Sequence, residues 1–369
     1  MSVAARAAVL PTPGEPFEIR EIEVGEPRAD EVLVRLVATG LCHTDLGVRF
    51  GGIPFPAPGV LGHEGAGVVV RVGDDITEVV PGDRVLLSFT SCGSCDGCAT
   101  GHPAYCRTWL PRNIFDGARD DGTSALSQGG APIGSHFFGQ SSFAEYAVAD
   151  RRSIVKVAGD ADLTTLAPLG CGVQTGFGSV WNVLDLQPGQ SLAVVGTGAV
   201  GLSAVLAAAQ REAGILVAVD IVPERLDLAR QLGATHALDG CADDLVAQLT
   251  EITAGAGLDA AFDTTGNPQV ARTALDALGT RGIVAVCGAP PPGTEIPVDI
   301  QGILTGKRLV GVTMGDALPQ TLVPELVRQH ADGRLPLERL IATYRLDEIE
   351  RAVHDMHAGV TVKPVIVFD

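Results

Sequence analysis

Three side chains far apart in the chain could hold one metal ion. Cys42, His63 and Cys171 offer two thiols and an imidazole. Such ligands suit Zn²⁺, and three of them leave one tetrahedral position open, as a catalytic site requires. Thr44 and Asp45 follow the first cysteine closely, and Glu64 follows the histidine. A lone histidine is usually an ordinary core or surface residue, so the combination carries the reading. His63-Glu64 also lies between two glycines, where backbone can pack closely around an ion. A second group, Cys92-x2-Cys95-x2-Cys98-x7-Cys106, places four thiols within fifteen residues. Four thiolates repel one another unless a cation holds them, so the group reads as a closed structural zinc site. A disulfide pairing and a rubredoxin-like iron site are the alternatives. Gly196-Thr197-Gly198-Ala199-Val200-Gly201 follows an apolar run, opens a helical pattern, and precedes Asp220 by nineteen residues. In that context the GxGxxG pattern is a dinucleotide-binding turn. Gly196 allows the turn, Gly198 lets a pyrophosphate approach, and Gly201 permits close helix–strand packing. An open zinc position, a hydroxyl beside it and a dinucleotide turn together imply alcohol oxidation by hydride transfer.

These groups need two kinds of scaffold. Glu31–Ala38 alternates apolar and polar residues at first, as a half-buried strand does, and delivers the chain to Gly40-Leu41-Cys42. Val68–Val72 reads as a strand, and Arg84–Leu87 as another after the Pro81-Gly82-Asp83 turn. The first 150 residues therefore read as a strand-rich, barrel-like domain carrying metal loops. Residues 107–135 are polar and Gly-rich and read as a long surface loop at the rim of the site. His136-Phe137-Phe138 then concentrates aromatic side chains in a chain with only 4% of them. From residue 190 the grammar changes. Ser191–Val195, Ile215–Asp220, Leu258–Asp263, Gly282–Cys287 and Arg308–Val312 are apolar runs of strand length. Helical stretches such as Val200–Arg211 and Glu224–Leu232 lie between them, which is the alternation of a parallel sheet covered by helices. After about residue 317 the chain is expected to return to the first domain. The expected division is 1–172, 173–316 and 317–369.

A chain of 369 residues is too long for one ordinary core. Its net charge of −18 argues against nucleic acid or an anionic membrane as partner. The longest uncharged run, Ser191–Ala209, is broken by glycines and reads as strand–turn–helix rather than a membrane span. No cationic, apolar leader opens the sequence, so a cytoplasmic protein is expected. CxxCxxC spacing favours metal binding over a disulfide framework for the eight cysteines. Cys241 and Cys287 fall outside both groups and read as buried thiols.

Gly62-His63-Glu64-x2-Gly67, the CxxCxxCx7C lobe, Cys171-Gly172-Val173-Gln174-Thr175-Gly176 and the GxGxxG turn occur here in one order. Over essentially its whole length the chain thereby resembles the zinc-dependent medium-chain alcohol dehydrogenases. CHTDLGVR, LGHEGAG, GCGVQTGFG and GTGAVGLSAV are most similar to the aryl-alcohol (benzyl-alcohol) branch, which includes enzymes for allylic terpene alcohols. The resemblance implies an α/β protein: a GroES-like β-rich catalytic domain and a Rossmann domain with a doubly wound parallel sheet. It implies two zinc ions per chain, NAD, a small alcohol or aldehyde as substrate, and a homodimer or homotetramer.

By the same resemblance, Cys42, His63 and Cys171 bind the catalytic zinc, which acts as a Lewis acid on the substrate oxygen. Cys92, Cys95, Cys98 and Cys106 bind the structural zinc. Thr44 takes the proton of the alcohol, Asp45 orients His63, and Glu64 approaches the metal during ligand exchange. A simple buried hydrogen-bond acceptor is the alternative for Glu64. His43 and Lys363 supply cations to the cofactor phosphates and Arg225 lies near the adenosine, with ordinary solvated charge as the alternative for Arg225 and Lys363. Val200 presses on the nicotinamide face, Thr175 lies at its edge, and Asp220 accepts from the ribose. Phe137 and Phe138 line the substrate channel, joined by Phe89. One departure is plain: many relatives carry a relay histidine five residues after the first zinc cysteine, and here that residue is Gly47. A thiol-dependent formaldehyde dehydrogenase is the nearest other activity, against which Phe137-Phe138 and the CGVQTGFG form argue. A non-catalytic family member would be marked by lost zinc ligands, and all three are present.

Overall fold

A computed structural model describes residues 2–291 and 293–369. The chain forms two compact units: Met1–Cys171 with Leu318–Asp369, and Gly172–Ala317. No helix among the described residues is long and apolar enough to cross a membrane.

The first unit is built around strand Glu31–Gly40. It pairs antiparallel with Gly65–Val72, Tyr146–Asp150 and Lys363–Val367. Covered on both faces, it buries nearly every residue, and only Arg35 is exposed. The alternation of a half-buried strand is therefore overridden by its central position. The last strand of the chain lies beside its end: Val365 pairs with Gly40, and Leu41 N–H donates to the Pro364 carbonyl at 2.9 Å. A second sheet runs in the order Gly59–Val60, Val3–Leu10, Glu18–Val24, Leu126–Gln128, Ala131–Pro132. The stretch 107–135, expected to be an irregular loop, thus contributes two short strands. Leu126 and Ser127 find backbone partners in Val24 and Glu23, which its polar composition did not announce.

The second unit is a parallel sheet. Numbered in chain order from Ser191–Val195 to Arg308–Gly311, its described strands run 3-2-1-4-5-6. That is the doubly wound order whose ligands bind at the carboxyl ends of the strands. The strand Ser191–Val195 is buried throughout, because helices cover both faces. Helix Ala199–Gln210 follows it directly. Cys241 and Cys287 do not meet the expectation of burial: Cys241 is exposed and Cys287 half-buried. Both lie just past strands, His236–Asp239 and Leu278–Val286, where the chain leaves the sheet.

One buried ionic cluster holds the long loop to the first unit. Glu31, at the head of the central strand, is only 6% exposed. Its Oε1 accepts from Arg119 Nε at 2.7 Å and meets His136 Nε2 at 3.3 Å. Its Oε2 accepts from an Arg119 terminal nitrogen at 2.7 Å and from Arg28 N–H at 2.9 Å. The Arg119 fork is bidentate, the strong form of this pair. Burial alone would raise the Glu31 carboxyl, but the Arg119 and His136 hydrogen bonds hold it down at about 2.

A group depressed from 4.5 to about 2 contributes stability that is complete above its unfolded value and vanishes as pH falls through the folded one. Glu31→Gln should therefore lower Tm at neutral pH and lose less further Tm than the wild type as pH falls from about 4.5 towards 2. Thermal unfolding scans across that range check it; parallel Tm–pH curves would refute it.

Candidate metal centre and cofactor turn

The central strand delivers Cys42, which precedes the short helix His43–Arg49. Asp45, in the first turn of that helix, is 0% exposed and organises the approach. Its Oδ2 accepts from Cys42 N–H at 2.9 Å, and its Oδ1 accepts from Gly62 N–H at 3.1 Å and meets His63 Nδ1 at 3.2 Å. One carboxylate thus ties two ligand-bearing segments together and fixes the imidazole, leaving His63 Nε2 as the nitrogen for a metal. That Nε2 is buried with no hydrogen-bond partner. Ligand atoms of Cys42, His63, Glu64 and Cys171 lie within 4.8 Å of one another, and all four residues are buried. An orphaned imidazole nitrogen facing two thiols is the donor set of a zinc site.

The electrostatics agree. Hydrogen bonding from Cys171, helped by the Lys363 charge and opposed by burial, draws the Cys42 thiol well below its usual range. Burial disfavours a charged His63, yet Asp45 and Cys42 push it up to about 10. The pocket therefore favours positive charge at its centre.

Glu64 is 0% exposed and accepts from Lys363 Nζ at 2.8 and 2.9 Å through its two oxygens. Burial pushes its carboxyl up, against the Lys363 charge that holds it down. Lys363, expected at the cofactor phosphates, is 1% exposed and donates to Glu64 and to the Leu41 carbonyl at 3.1 Å. A solvated charge, the alternative for Lys363, is ruled out. Its strand lies beside the end of the central strand, which places the ammonium inside the metal pocket. Thr44 Oγ1 lies 3.9 Å from Cys42 Sγ. At Gly47 a Cβ would meet Ile53 Cδ1 at 2.7 Å, so the site is closed to a histidine unless Ile53 moves.

Phe89, Phe137 and Phe138, expected to line the substrate channel, are all at most 2% exposed, and Phe137 and Phe138 form an apolar wall beside His63. Phe138 stacks on the His63 ring at 4.3 Å and Phe137 meets it edge-on at 5.5 Å. Phe55 and Trp109, which sequence reasoning passed over, complete the cluster through Phe137 and Phe138. The turn that carries this wall is strained. His136, Phe138 and Ser141 all have φ between 54° and 59°. Each such non-glycine residue costs on the order of 1–3 kcal/mol. Gln140 in the same turn was also missed: its Nε2 donates to the His63 and Ser88 carbonyls and its Oε1 accepts from Gly65 N–H.

The four-cysteine lobe is compact. Sulfur–sulfur distances of 3.6, 3.9 and 3.9 Å join Cys95–Cys98, Cys92–Cys98 and Cys95–Cys106. A tetrahedron of Zn–S bonds of about 2.3 Å has edges of about 3.8 Å. All four thiols are free, so the disulfide alternative does not hold. Backbone N–H groups of Cys92, Cys95 and Arg107 donate to sulfurs of the set. The backbone N–H of Ser94 is the main cause that pushes the Cys92 thiol down to about 5.

In the second unit, the turn after strand Ser191–Val195 has the form a dinucleotide needs. Gly196 has φ +85°, and a Cβ at Gly201 would stand 1.8 Å from the Gly196 carbonyl oxygen. At Gly198 nothing lies within 4 Å of a Cβ, so the backbone is open to a phosphate at the helix start. Asp220 Oδ2 accepts from Thr197 N–H at 2.5 Å and from its hydroxyl at 2.8 Å. Its Oδ1 accepts from Ile221 and Val222 N–H. The carboxylate expected to face a ribose is thus also the clasp of the glycine turn. Arg225 Nε is buried without a hydrogen-bond partner. Thr175 is buried, Val200 half-buried and His43 exposed.

Both ligand sets fit zinc, and the purified protein should contain two zinc ions per chain by metal analysis. Cys42→Ser should abolish turnover with the fold intact, whereas Cys95→Ser should lower Tm. One zinc or none in a fully active preparation would overturn the assignment.

Comparison with known proteins gives the same order of parts. Residues 28–159 match the alcohol dehydrogenase GroES-like domain and residues 199–330 the zinc-binding dehydrogenase family. Geraniol dehydrogenase of Castellaniella defragrans is 44% identical over 368 residues, covering 99% of this chain and 98% of that protein. S-(Hydroxymethyl)glutathione dehydrogenase of Escherichia coli is 38% identical over 376 residues, covering 98% and 99%. The crystal structure of benzyl alcohol dehydrogenase from Acinetobacter calcoaceticus is similar with a TM-score of 0.96 and 45% identity over the full length of both chains. With a GroES-like domain that gathers the zinc ligands and a Rossmann-type domain behind them in sequence, the chain belongs to the zinc-dependent medium-chain alcohol dehydrogenase family.

Proposed function

We propose that the protein oxidises a primary alcohol, aromatic or allylic, reversibly to the aldehyde with NAD. The observation that carries this reading is the orphaned His63 Nε2 between two thiols, with its ring packed against Phe137 and Phe138. When bound, zinc supplies a Lewis acid for the alcohol oxygen and NAD accepts the hydride. Asp45 holds the imidazole in its donor orientation. Thr44, whose hydroxyl lies 3.9 Å from the Cys42 sulfur, accepts the alcohol proton as its own hydroxyl proton passes on towards the cofactor ribose. Apolar rings beside the metal exclude water and favour a substrate with an apolar body. Geraniol and benzyl alcohol, named for two of the similar proteins, both have one.

Burying ring surface against apolar side chains yields about 25 cal/mol per Å². Benzyl alcohol and geraniol should therefore exceed ethanol in kcat/KM, with NADH formation as the readout. S-(hydroxymethyl)glutathione, the substrate in the name of another relative, should be poor. Equal efficiencies for ethanol and benzyl alcohol would refute the apolar site, and a preference for the glutathione adduct would replace it.

NAD should be preferred over NADP. Asp220 follows the glycine turn at the end of its strand, and Ile221, Val222 and Pro223 add no cation. A 2′-phosphate oxygen ~4 Å from the carboxylate would be repelled by about 4 kcal/mol at an effective dielectric of ~20. Arg225 offsets part of this. A preference of at least about a hundredfold in kcat/KM is expected, since each tenfold is about 1.4 kcal/mol. Asp220→Ser should narrow it strongly, and comparable efficiencies in the unmutated protein would show that Asp220 does not face the ribose.

A further inference from the structure

We propose that Glu31, remote in sequence from every zinc ligand, is a positioning residue for the aromatic wall beside His63 and so sets selectivity for ring substrates. The inference rests on the proposed alcohol oxidation. His136 and Phe138 stand in left-handed backbone, which L-residues adopt only when surrounding contacts hold them. The contacts at the head of this turn are polar and buried. His136 Nδ1 pairs with Ser135 Oγ at 2.8 Å, and its Nε2 reaches Glu31 Oε1. Further on, Ser141 Oγ accepts from Phe137 N–H at 3.0 Å and donates to the Val60 carbonyl at 2.6 Å.

Glu31 also holds the other side of the loop. Arg119 binds both carboxylate oxygens, Arg119 N–H donates to the Thr123 carbonyl, and Ser135 N–H donates to the Gly117 carbonyl. The carboxylate therefore joins residues 119 and 136 of one excursion to the head of the central strand. It accepts four hydrogen bonds, which fills its capacity. The wall follows within two residues: Phe137 and Phe138 come immediately after His136, and Phe138 stacks on the zinc-ligand ring. Removing the charge leaves the half-buried Arg119 with only the Ser124 and Glu26 carbonyls in place of its carboxylate partner, and frees the turn to relax towards ordinary backbone angles. The metal ligands themselves are held by Asp45 and Gln140, which Glu31 does not touch. Loss of the cluster should thus affect the wall before it affects the zinc.

Trp109 reports on the wall, because its ring meets Phe138 edge-on at 5.5 Å. The other tryptophan, Trp181, packs in the second unit against Phe177 and is removed by Trp181→Phe. In that background, Glu31→Gln should red-shift Trp109 emission. It should also lower the benzyl alcohol to ethanol ratio of kcat/KM by about tenfold through KM for the ring substrate, as expected when a supporting shell loosens. Ethanol turnover should stay near its starting value. His136→Gly guards against misfolding of the first variant. It keeps the Glu31–Arg119 pair, accepts the left-handed backbone and removes only the imidazole arm, and it should move both readouts in the same direction. Unchanged emission and selectivity in both variants, or a lower Tm with the selectivity ratio intact, would overturn the proposal. No preference for benzyl alcohol in the parent would instead refute the substrate reading, while the emission comparison would still test the positioning role.

Discussion

A buried pocket that gathers acidic groups must also gather positive charge, and the first unit is arranged around that requirement. Asp45, His63 and Glu64 are 0% exposed, and Cys42 and Cys171 lie at 9% and 6%. An ionised group taken from water without a partner costs several kcal/mol even after relaxation. Lys363 answers Glu64, and His63 faces Asp45, while the Cys42 thiol is drawn down by Cys171 and the Lys363 charge. Asp45 and Cys42 push His63 up to about 10, which reflects the same demand: the surroundings favour a cation there against the effect of burial. A divalent ion with two sulfur ligands and one nitrogen satisfies it with the groups already in place.

This demand explains why the chain's last stretch belongs to the first unit. Lys363 reaches Glu64 because strand Lys363–Val367 pairs beside Gly40, and the same pairing bonds Leu41, one residue before the ligand Cys42, to Pro364. Backbone pairing and charge compensation are thus delivered by one short segment. A lysine on the surface would be exchangeable, since exposed pairs contribute little. A lysine fully enclosed with a carboxylate is not, because removing either partner leaves the other buried and unpaired.

Much of this could be read from residue types and spacing. The strands Arg84–Leu87, Ser191–Val195, Ile215–Asp220 and Leu258–Asp263 have the bounds their apolar runs suggest. The two ligand sets come together as their chemistry requires. What could not be read depends on partners distant in the chain. The pairing of Lys363 with Glu64 could not be read because the two lie 299 residues apart. Strand Leu126–Gln128 is too polar and short to announce itself, and exists because Glu18–Val24 offers an edge. Trp109 and Phe55 carry no motif, and their place against Phe138 and Phe137 follows from where a strained turn puts those rings.

Asp220 shows how one carboxylate serves two ends. It clasps Thr197 in the glycine turn and caps Ile221 and Val222, so its four acceptor positions are filled by its own chain. A ribose hydroxyl must therefore displace or share one of these bonds, and the Thr197 hydroxyl is the one that can rotate away without moving backbone. Exchange of one hydroxyl donor for another changes the net energy little, since a neutral hydrogen bond is worth only about 1 kcal/mol net. The proposed discrimination against a 2′-phosphate would have a different source. The phosphate brings acceptors and no donor, so it cannot enter that exchange, and its charge meets the carboxylate's at a range where ribose contacts are not needed. Under the proposed NAD preference, the same clasp that keeps the glycine turn closed would make cofactor selection a matter of charge more than of hydrogen-bond count.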